Sequence, residues 1–247
     1  FLHLARDMQT GTLIPSRIDS DIKRQVPYRD RASYLTNFVK SSPRGFFRVL
    51  PPKTNEYARL MKEKIRLERL LASGGWGPKV PETTLKPGQS GNSVVALRNR
   101  LIAMGFMRRS ATQSYDQSVQ AAVQQFQLAH GLATDGVAGP ATMTAINTPV
   151  QTRLQSVLVA MERERWLNSN RGKRHVLVNL TDFSARIVDN DRVSFTTRAV
   201  VGKDQGDRRS PEFSDVMEYM VINPTWHVPR SIAVKEYLPM MKRNRNA

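Results

Sequence analysis

Among side chains able to do covalent or acid–base chemistry, this sequence of 247 residues offers four His and no Cys. Without Cys these residues hold no thiolate nucleophile, no disulfide and no zinc–thiolate centre. Two of the His fall in the last third. His175 opens an alternating run beside Lys173 and Arg174 and reads as an exposed residue on a strand edge. His227 stands between Trp226 and Val228 in a stretch bounded by Pro224 and Pro229, with Arg230 and Ser231 just beyond. The prolines stiffen that stretch. Trp226 on it either packs into a core or forms the wall of a cleft. Arg230 and Ser231 either reach an anionic ligand or face solvent. No Ser or Asp is tied by the sequence to either His as a triad. Asp204, Asp207 and Glu212 alternate with Gly206, Arg208 and Arg209, the composition of a solvated hairpin loop. No Gly-rich loop follows an expected strand, so nucleotide binding is unsupported. Neither a metal nor a cofactor is expected.

The formal net charge is +17. Such a balance favours acidic partners: nucleic acid, anionic lipid or an anionic polymer. The excess is spread, with +8 over residues 1–85, +3 over 86–150 and +6 over 151–247. Helix-turn-helix and zinc-finger patterns are missing, so no nucleic acid is expected as partner. No apolar run reaches the roughly 18 residues of a membrane span. The chain starts at Phe1, so it reads as an internal piece of a longer one, and a membrane anchor would lie in a segment ahead of it.

The elements that must carry these residues fall into three zones. In the first, residues 1–85, Leu2, Leu4 and Met8 recur at helical spacing until Gly11 and Pro15 break it. A helix is expected over 30–40 and a longer one over 55–72, capped by Thr54 or Asn55. Gly74-Gly75-Trp76-Gly77-Pro78 ends the longer helix, with Trp76 read as a plug between this zone and the next. The second zone, 86–148, shows helical stripes over 91–104, 116–129 and 140–147, with Asp116 as N-cap and Pro140 at a first helical position. A linking helix follows within 149–173, carrying Leu154, Val157, Leu158 and Met161. From 174 to 247 the period becomes two. Strands are expected from His175, over 183–189, over 192–201 and over 216–223, with Asn190-Asp191 as a hairpin turn and a short helix over 233–238.

Two ordered sets of residues carry a resemblance. In the second zone, Pro87-Gly88, Leu97 to Leu101, Gly105-Phe106, Tyr115-Asp116, Val119 to Gln127, His130-Gly131-Leu132, Asp135-Gly136, Gly139 and Thr142 resemble the small three-helix peptidoglycan-binding domain. Later, Met161-Glu162-Arg163, Trp166-Leu167, Val176 to Asn179, Gly202-Lys203, Phe213-Ser214-Asp215 and Asn223 to Ile232 resemble the start of an L,D-transpeptidase catalytic domain of the large periplasmic type. Gly11, Pro15, Asp19, Tyr57 and Leu60 resemble, more loosely, that type's helical scaffold.

The resemblance implies a multi-domain α+β protein: a helical scaffold, a three-helix peptidoglycan-binding domain and a mostly β, incomplete catalytic domain. It implies a Gram-negative-type periplasmic location, and peptidoglycan stem peptides and glycan as partners. It implies formation of 3→3 cross-links through a cysteine thioester, in a Ser/Thr-His-Gly-Cys motif expected beyond Ala247. No catalytic residue is therefore assigned in this chain. Trp226, His227, Pro229, Arg230 and Ser231 become candidates for substrate binding, and Asp135, Gly136 and Gly139 candidates for peptidoglycan binding. The competing reading is a wall-anchoring protein whose β domain has no catalytic role.

Overall fold

A computed structural model describes residues 1–168, 171–203 and 208–243. Two units divide the chain after Phe213.

The first unit begins with five helices: α1 (Leu2–Thr10), α2 (Pro15–Ile18), α3 (Arg31–Val39), α4 (Pro43–Val49) and α5 (Asn55–Ala72). Asp30 caps α3 by accepting from Ala32 N, and Thr54 caps α5 by accepting from Tyr57 N. Each cap satisfies a backbone donor that the first turn leaves without an intrahelical partner. Ala5, Tyr34, Phe46 and Leu50 form a small buried core. The Phe1 ring extends it, 4.8 Å from Phe38 and 5.5 Å from Phe46. Helix α4 was not expected from the sequence. Its signal, Ser42 before Pro43, was present: Ser42 Oγ accepts from Gly45 N and Pro43 takes a first-turn position.

Three helices follow, α6 (Asn92–Met104), α7 (Gln117–Ala129) and α8 (Pro140–Ile146). Their stripes close on one core in which Leu97, Leu101, Val119, Val123, Phe126 and Ile146 are fully buried. Two polar clamps join this module to the turn after α5. Asn147 and Val80 exchange amide hydrogen bonds, both 2.9 Å. The Arg100 guanidinium, itself buried, donates to Gly77 O and Ile146 O and lies 5.3 Å over the Trp76 ring. Trp76 does act as the expected plug: it packs with Leu67 of α5 and with Val150.

Val150 opens α9 (Val150–Trp166), which returns along α5 and α1. Glu162 joins α9 to the turn after α1. Its Oε1 accepts from Thr12 N at 2.6 Å, Leu13 N at 2.8 Å and Trp166 Nε1 at 3.2 Å. Gly11 sits against this carboxylate with φ +86°, and a Cβ there would fall 2.4 Å from Glu162 Oε1. Both the backbone and the space therefore require glycine.

The period change after α9 is real. Strands β1 (Arg174–Asn179), β2 (Ser184–Asp189) and β3 (Arg192–Arg198) form an antiparallel sheet in that order. Asn190 and Asp191 both have positive φ, 48° and 61°, as a two-residue hairpin turn of the primed kind requires. A bulge interrupts the β2–β3 register between Ile187 and Val188. No residue of the three strands is buried. His175 corrects its expected reading: β1 is an edge strand, but the residue is half-buried and its Nδ1 is closed to solvent without a partner among the described residues. Beyond the sheet, Glu212 bridges to Ile22, and its carboxylate pairs with Arg24 and Arg163. Asp204 and Asp207 lie outside the described residues.

The second unit corrects the expected fourth strand. Residues 216–223 have no ladder partner among the described residues, and Asn223 turns to φ 57°. Alternating side chains do not make a strand unless its backbone groups find an edge to pair with. From Pro229 the chain forms α10 (Arg230–Ile232), a π-helical turn (Ala233–Tyr237) and α11 (Leu238–Arg243). This covers and lengthens the short helix expected over 233–238.

Candidate functional sites

The expected peptidoglycan-binding residues lie in the loop between α7 and α8. Its organiser is Gln127, an α7 residue only 1% exposed. The Gln127 amide donates to Asp135 Oδ1 at 2.8 Å, Val137 O at 3.0 Å and Thr142 Oγ1 at 3.1 Å, while its oxygen accepts from Gly136 N at 2.9 Å. Asp135 Oδ1 also accepts from Val137 N. These bonds, the Val137 N–H foremost, hold the Asp135 carboxyl below its usual range. The Tyr115 hydroxyl donates to Gly136 O at 2.8 Å, and burial raises its phenol well above the ordinary value. Gly136 needs to be glycine, with φ +71° and a would-be Cβ 2.8 Å from Gln120 Cγ. Gly139 does not: its φ is −79° and the space around it is open. One oxygen of Asp135 is thus committed to shaping the loop.

A cleft of about 420 Å³ opens nearby, between α5, α9 and the three-helix module. Trp76, Phe106 and Phe126 supply its aromatic surfaces, and Leu60 and Val157 its aliphatic ones. Its polar groups are few. Arg66 is held bidentately by Glu63, at 2.6 and 2.8 Å. His130 donates from Nδ1 to Phe126 O at 2.7 Å and stacks on the Phe126 ring at 3.9 Å. With that nitrogen protonated, Nε2 of the neutral ring is an acceptor. Burial lowers the His130 pKa, and the charge of Arg153 adds to the effect, so the ring is neutral near pH 7. Arg153 donates from Nη2 to Ala145 O at 2.9 Å. No carboxylate pairs with it among the described residues, and burial lowers its pKa.

The sequence reading passed over this cleft because its walls come from all three helical segments. One signal was legible. Val150, Leu154 and Val157 mark the inner stripe of α9, and Arg153 falls on the same stripe. A cation there is unusual, since an inward stripe is ordinarily apolar.

The candidates in the second unit are placed differently. Trp226 is 65% exposed, so it is no core residue. His227, Arg230 and Ser231 are also exposed, and Pro229 precedes the first turn of α10. The structure sets them along one segment and does not gather them around a cavity among the described residues.

Comparison with known proteins assigns the zones. Residues 1–63 match the family model of a scaffold domain, residues 90–146 that of a peptidoglycan-binding domain and residues 173–247 that of an L,D-transpeptidase catalytic domain. A curated relative is the N-acetylmuramoyl-L-alanine amidase CwlL of Bacillus licheniformis, 39% identical over 82 residues, which are 32% of this chain and 23% of that protein. Among solved structures, an L,D-transpeptidase from Xylanimonas cellulosilytica is 27% identical, with a TM-score of 0.23 over 52% of this chain and 54% of that one. A fused Zn-dependent amidase/peptidase/peptidoglycan-binding domain-containing protein from Clostridium acetobutylicum is 22% identical, with a TM-score of 0.24 over 50% of this chain and 64% of that one. The chain spans less than two thirds of each of these proteins.

Proposed function

We propose that the chain, in which a match to a peptidoglycan-binding domain precedes a match to an L,D-transpeptidase catalytic domain, serves as the wall-binding and substrate-holding part of a peptidoglycan cross-linking enzyme. The order of these two domains in one chain is the observation that carries the reading. In the proposed reaction a cysteine thiolate attacks the donor stem peptide at the carbonyl between its third and fourth residues. The fourth residue, D-Ala, departs with its amine, leaving a thioester. The side-chain amine of a diamino acid on an acceptor peptide then attacks the thioester, releases the thiolate and forms a 3→3 amide cross-link. This is covalent catalysis by an activated nucleophile. The 247 residues contain no Cys, so none of them is given the acyl-transfer step.

Trp226, His227, Pro229, Arg230 and Ser231 are proposed to touch the donor peptide. Their support is the match of their segment to the catalytic domain and the exposure of an aromatic ring on a proline-bounded stretch. Because the polymer lies outside the cytoplasm, the proposed location is the periplasm of a Gram-negative-type envelope. The second reading is a wall-anchoring protein whose β domain has no catalytic role, supported by the match of residues 90–146 to a peptidoglycan-binding domain.

Retention on purified peptidoglycan sacculi tests the wall-binding part. The 247-residue chain is expected to sediment with sacculi and to be released when they are digested with a muramidase. A chain that stays in the supernatant would overturn the proposal. Mass analysis of muropeptides, after expressing the gene in a host lacking 3→3 links, separates the two readings: new 3→3 dimers support the enzyme and their absence the anchor.

A further inference from the structure

We propose that the cleft between α5, α9 and the three-helix module binds a carboxylate of a peptidoglycan stem peptide, with Arg153 as its counter-ion. The proposal deepens the wall-binding reading and rests on it. It makes the wall site a joint property of the module and the two long helices, and it selects peptide over glycan.

Charge is the first argument. Arg153 lines the cleft with a single bond to a backbone carbonyl and no carboxylate partner among the described residues. Glu63, the acid among the lining residues, is already engaged by two nitrogens of Arg66. A half-buried guanidinium left in this state gains most from an anion that can accept two of its N–H donors at once, and a carboxylate has that geometry.

Shape and polarity are the second. A volume of about 420 Å³ is at the small-ligand end of binding pockets. Aliphatic and aromatic side chains make most of the wall, which suits alanyl methyls and the methylene chain of a diamino acid. The glycan carries hydroxyls, acetamido groups and ether oxygens along its whole length, and its donors need partners when removed from water. The cleft cannot supply them: Ser156 Oγ already donates to Thr152 O, and Arg66 is occupied.

Calorimetric titration of the full 247-residue chain tests this with three probes: a disaccharide–tetrapeptide muropeptide, the same compound with its carboxylates converted to amides, and the peptide-free disaccharide. The first is expected to bind and the other two to bind at least about tenfold more weakly, the loss of one charge-assisted contact. Arg153→Gln should weaken the first probe by a similar factor, and Arg153→Lys should recover part of the loss. Because Arg153 also holds the end of α8, Ser156→Asp provides a second variant. It alters an exposed helix position, leaves that bond in place and sets an anion in the cleft. Equal affinity for the peptide-free disaccharide, or unchanged muropeptide binding by both Arg153→Gln and Ser156→Asp, would overturn the cleft site. Retention of the unmodified chain on sacculi tells the two failures apart. If it is retained and the variants are retained equally, the cleft assignment fails and the wall-binding reading stands. If it is not retained, the reading fails and takes the cleft assignment with it.

Discussion

Gln127 shows at the residue scale how a loop that looks built for a ligand can be built for itself. Its amide holds Asp135, Gly136, Val137 and Thr142 together from a buried position. In the sequence Asp135 stands only as a candidate for peptidoglycan binding; its bond to a glutamine eight residues earlier exists only once α7 is placed. The two loop glycines separate the roles. Gly136→Ala is expected to cost about 1–2 kcal/mol in urea unfolding, from the left-handed backbone alone, and more if Gln120 cannot move. Gly139→Ala should stay within about 0.5 kcal/mol, since its backbone is ordinary and its space open. Equal losses at both positions would contradict this account. Asp116 gives a pH test. Its Oδ1 accepts from Ser118 and Val119 and caps α7, bonds that lower its carboxyl from an ordinary 3.8 to about 2. A depressed folded pKa contributes stability above the unfolded value and loses it as pH falls through the folded one. Asp116→Ala should therefore cost about 1 kcal/mol at neutral pH, typical of a lost cap. The gap between variant and unmodified chain should close as pH falls from about 4 to about 2, as read from denaturant midpoints.

At the scale of elements, the helices were legible and their seams were not. Thr54 and Asp116 announce helix starts by local chemistry and cap as expected, while Asp30, read as the first residue of its helix, caps it instead. The missed α4 had an equally good start in Ser42-Pro43, but only two turns of pattern behind it. The expected strand over 216–223 failed for the opposite reason: its alternation was clear, but pairing is decided by what lies alongside. Glu162 illustrates a seam. In sequence it is one acid among several in a charged helix. In the fold it is the acceptor that holds residues 12 and 13 against α9. Glu162→Ala leaves two backbone donors at exposed positions and the Trp166 indole to find water, and should destabilise the seam by about 1–2 kcal/mol. Hydrogen exchange would report it as faster exchange at Thr12 and Leu13, with the α6–α8 core unchanged. Glu162→Gln keeps an acceptor oxygen and should recover most of the protection. If exchange at those two amides did not change in the alanine variant, the carboxylate would not be what holds the turn.

For the whole molecule, charge and cysteine content say more together than apart. A net charge of +17 would favour nucleic acid if it lay on one face, yet the excess runs through every zone, and several further cations are held by acids or backbone carbonyls. Arg24 and Arg163 meet Glu212, Arg171 meets Glu164, Arg66 meets Glu63, and Arg100 is spent on backbone carbonyls and the Trp76 ring. Such pairing leaves the net excess untouched, but that excess is dispersed over every zone and so meets few phosphates of any one duplex, and DNA association should be weak and fall steeply with salt. An electrophoretic shift with a random duplex at physiological salt is expected to show no defined complex; a tight, salt-resistant one would restore the nucleic-acid reading. The missing cysteine makes a sharper test of the proposed chemistry. Acyl transfer through a thioester needs a thiolate, and no hydroxyl in these residues stands beside a base and orienter that could replace it among the described residues. Incubating the 247-residue chain with a disaccharide–tetrapeptide donor should therefore leave its intact mass unchanged while the donor still binds. An adduct equal to the donor less D-Ala would mean that a residue of this chain is itself a nucleophile, and the assignment of the acyl step elsewhere would fall.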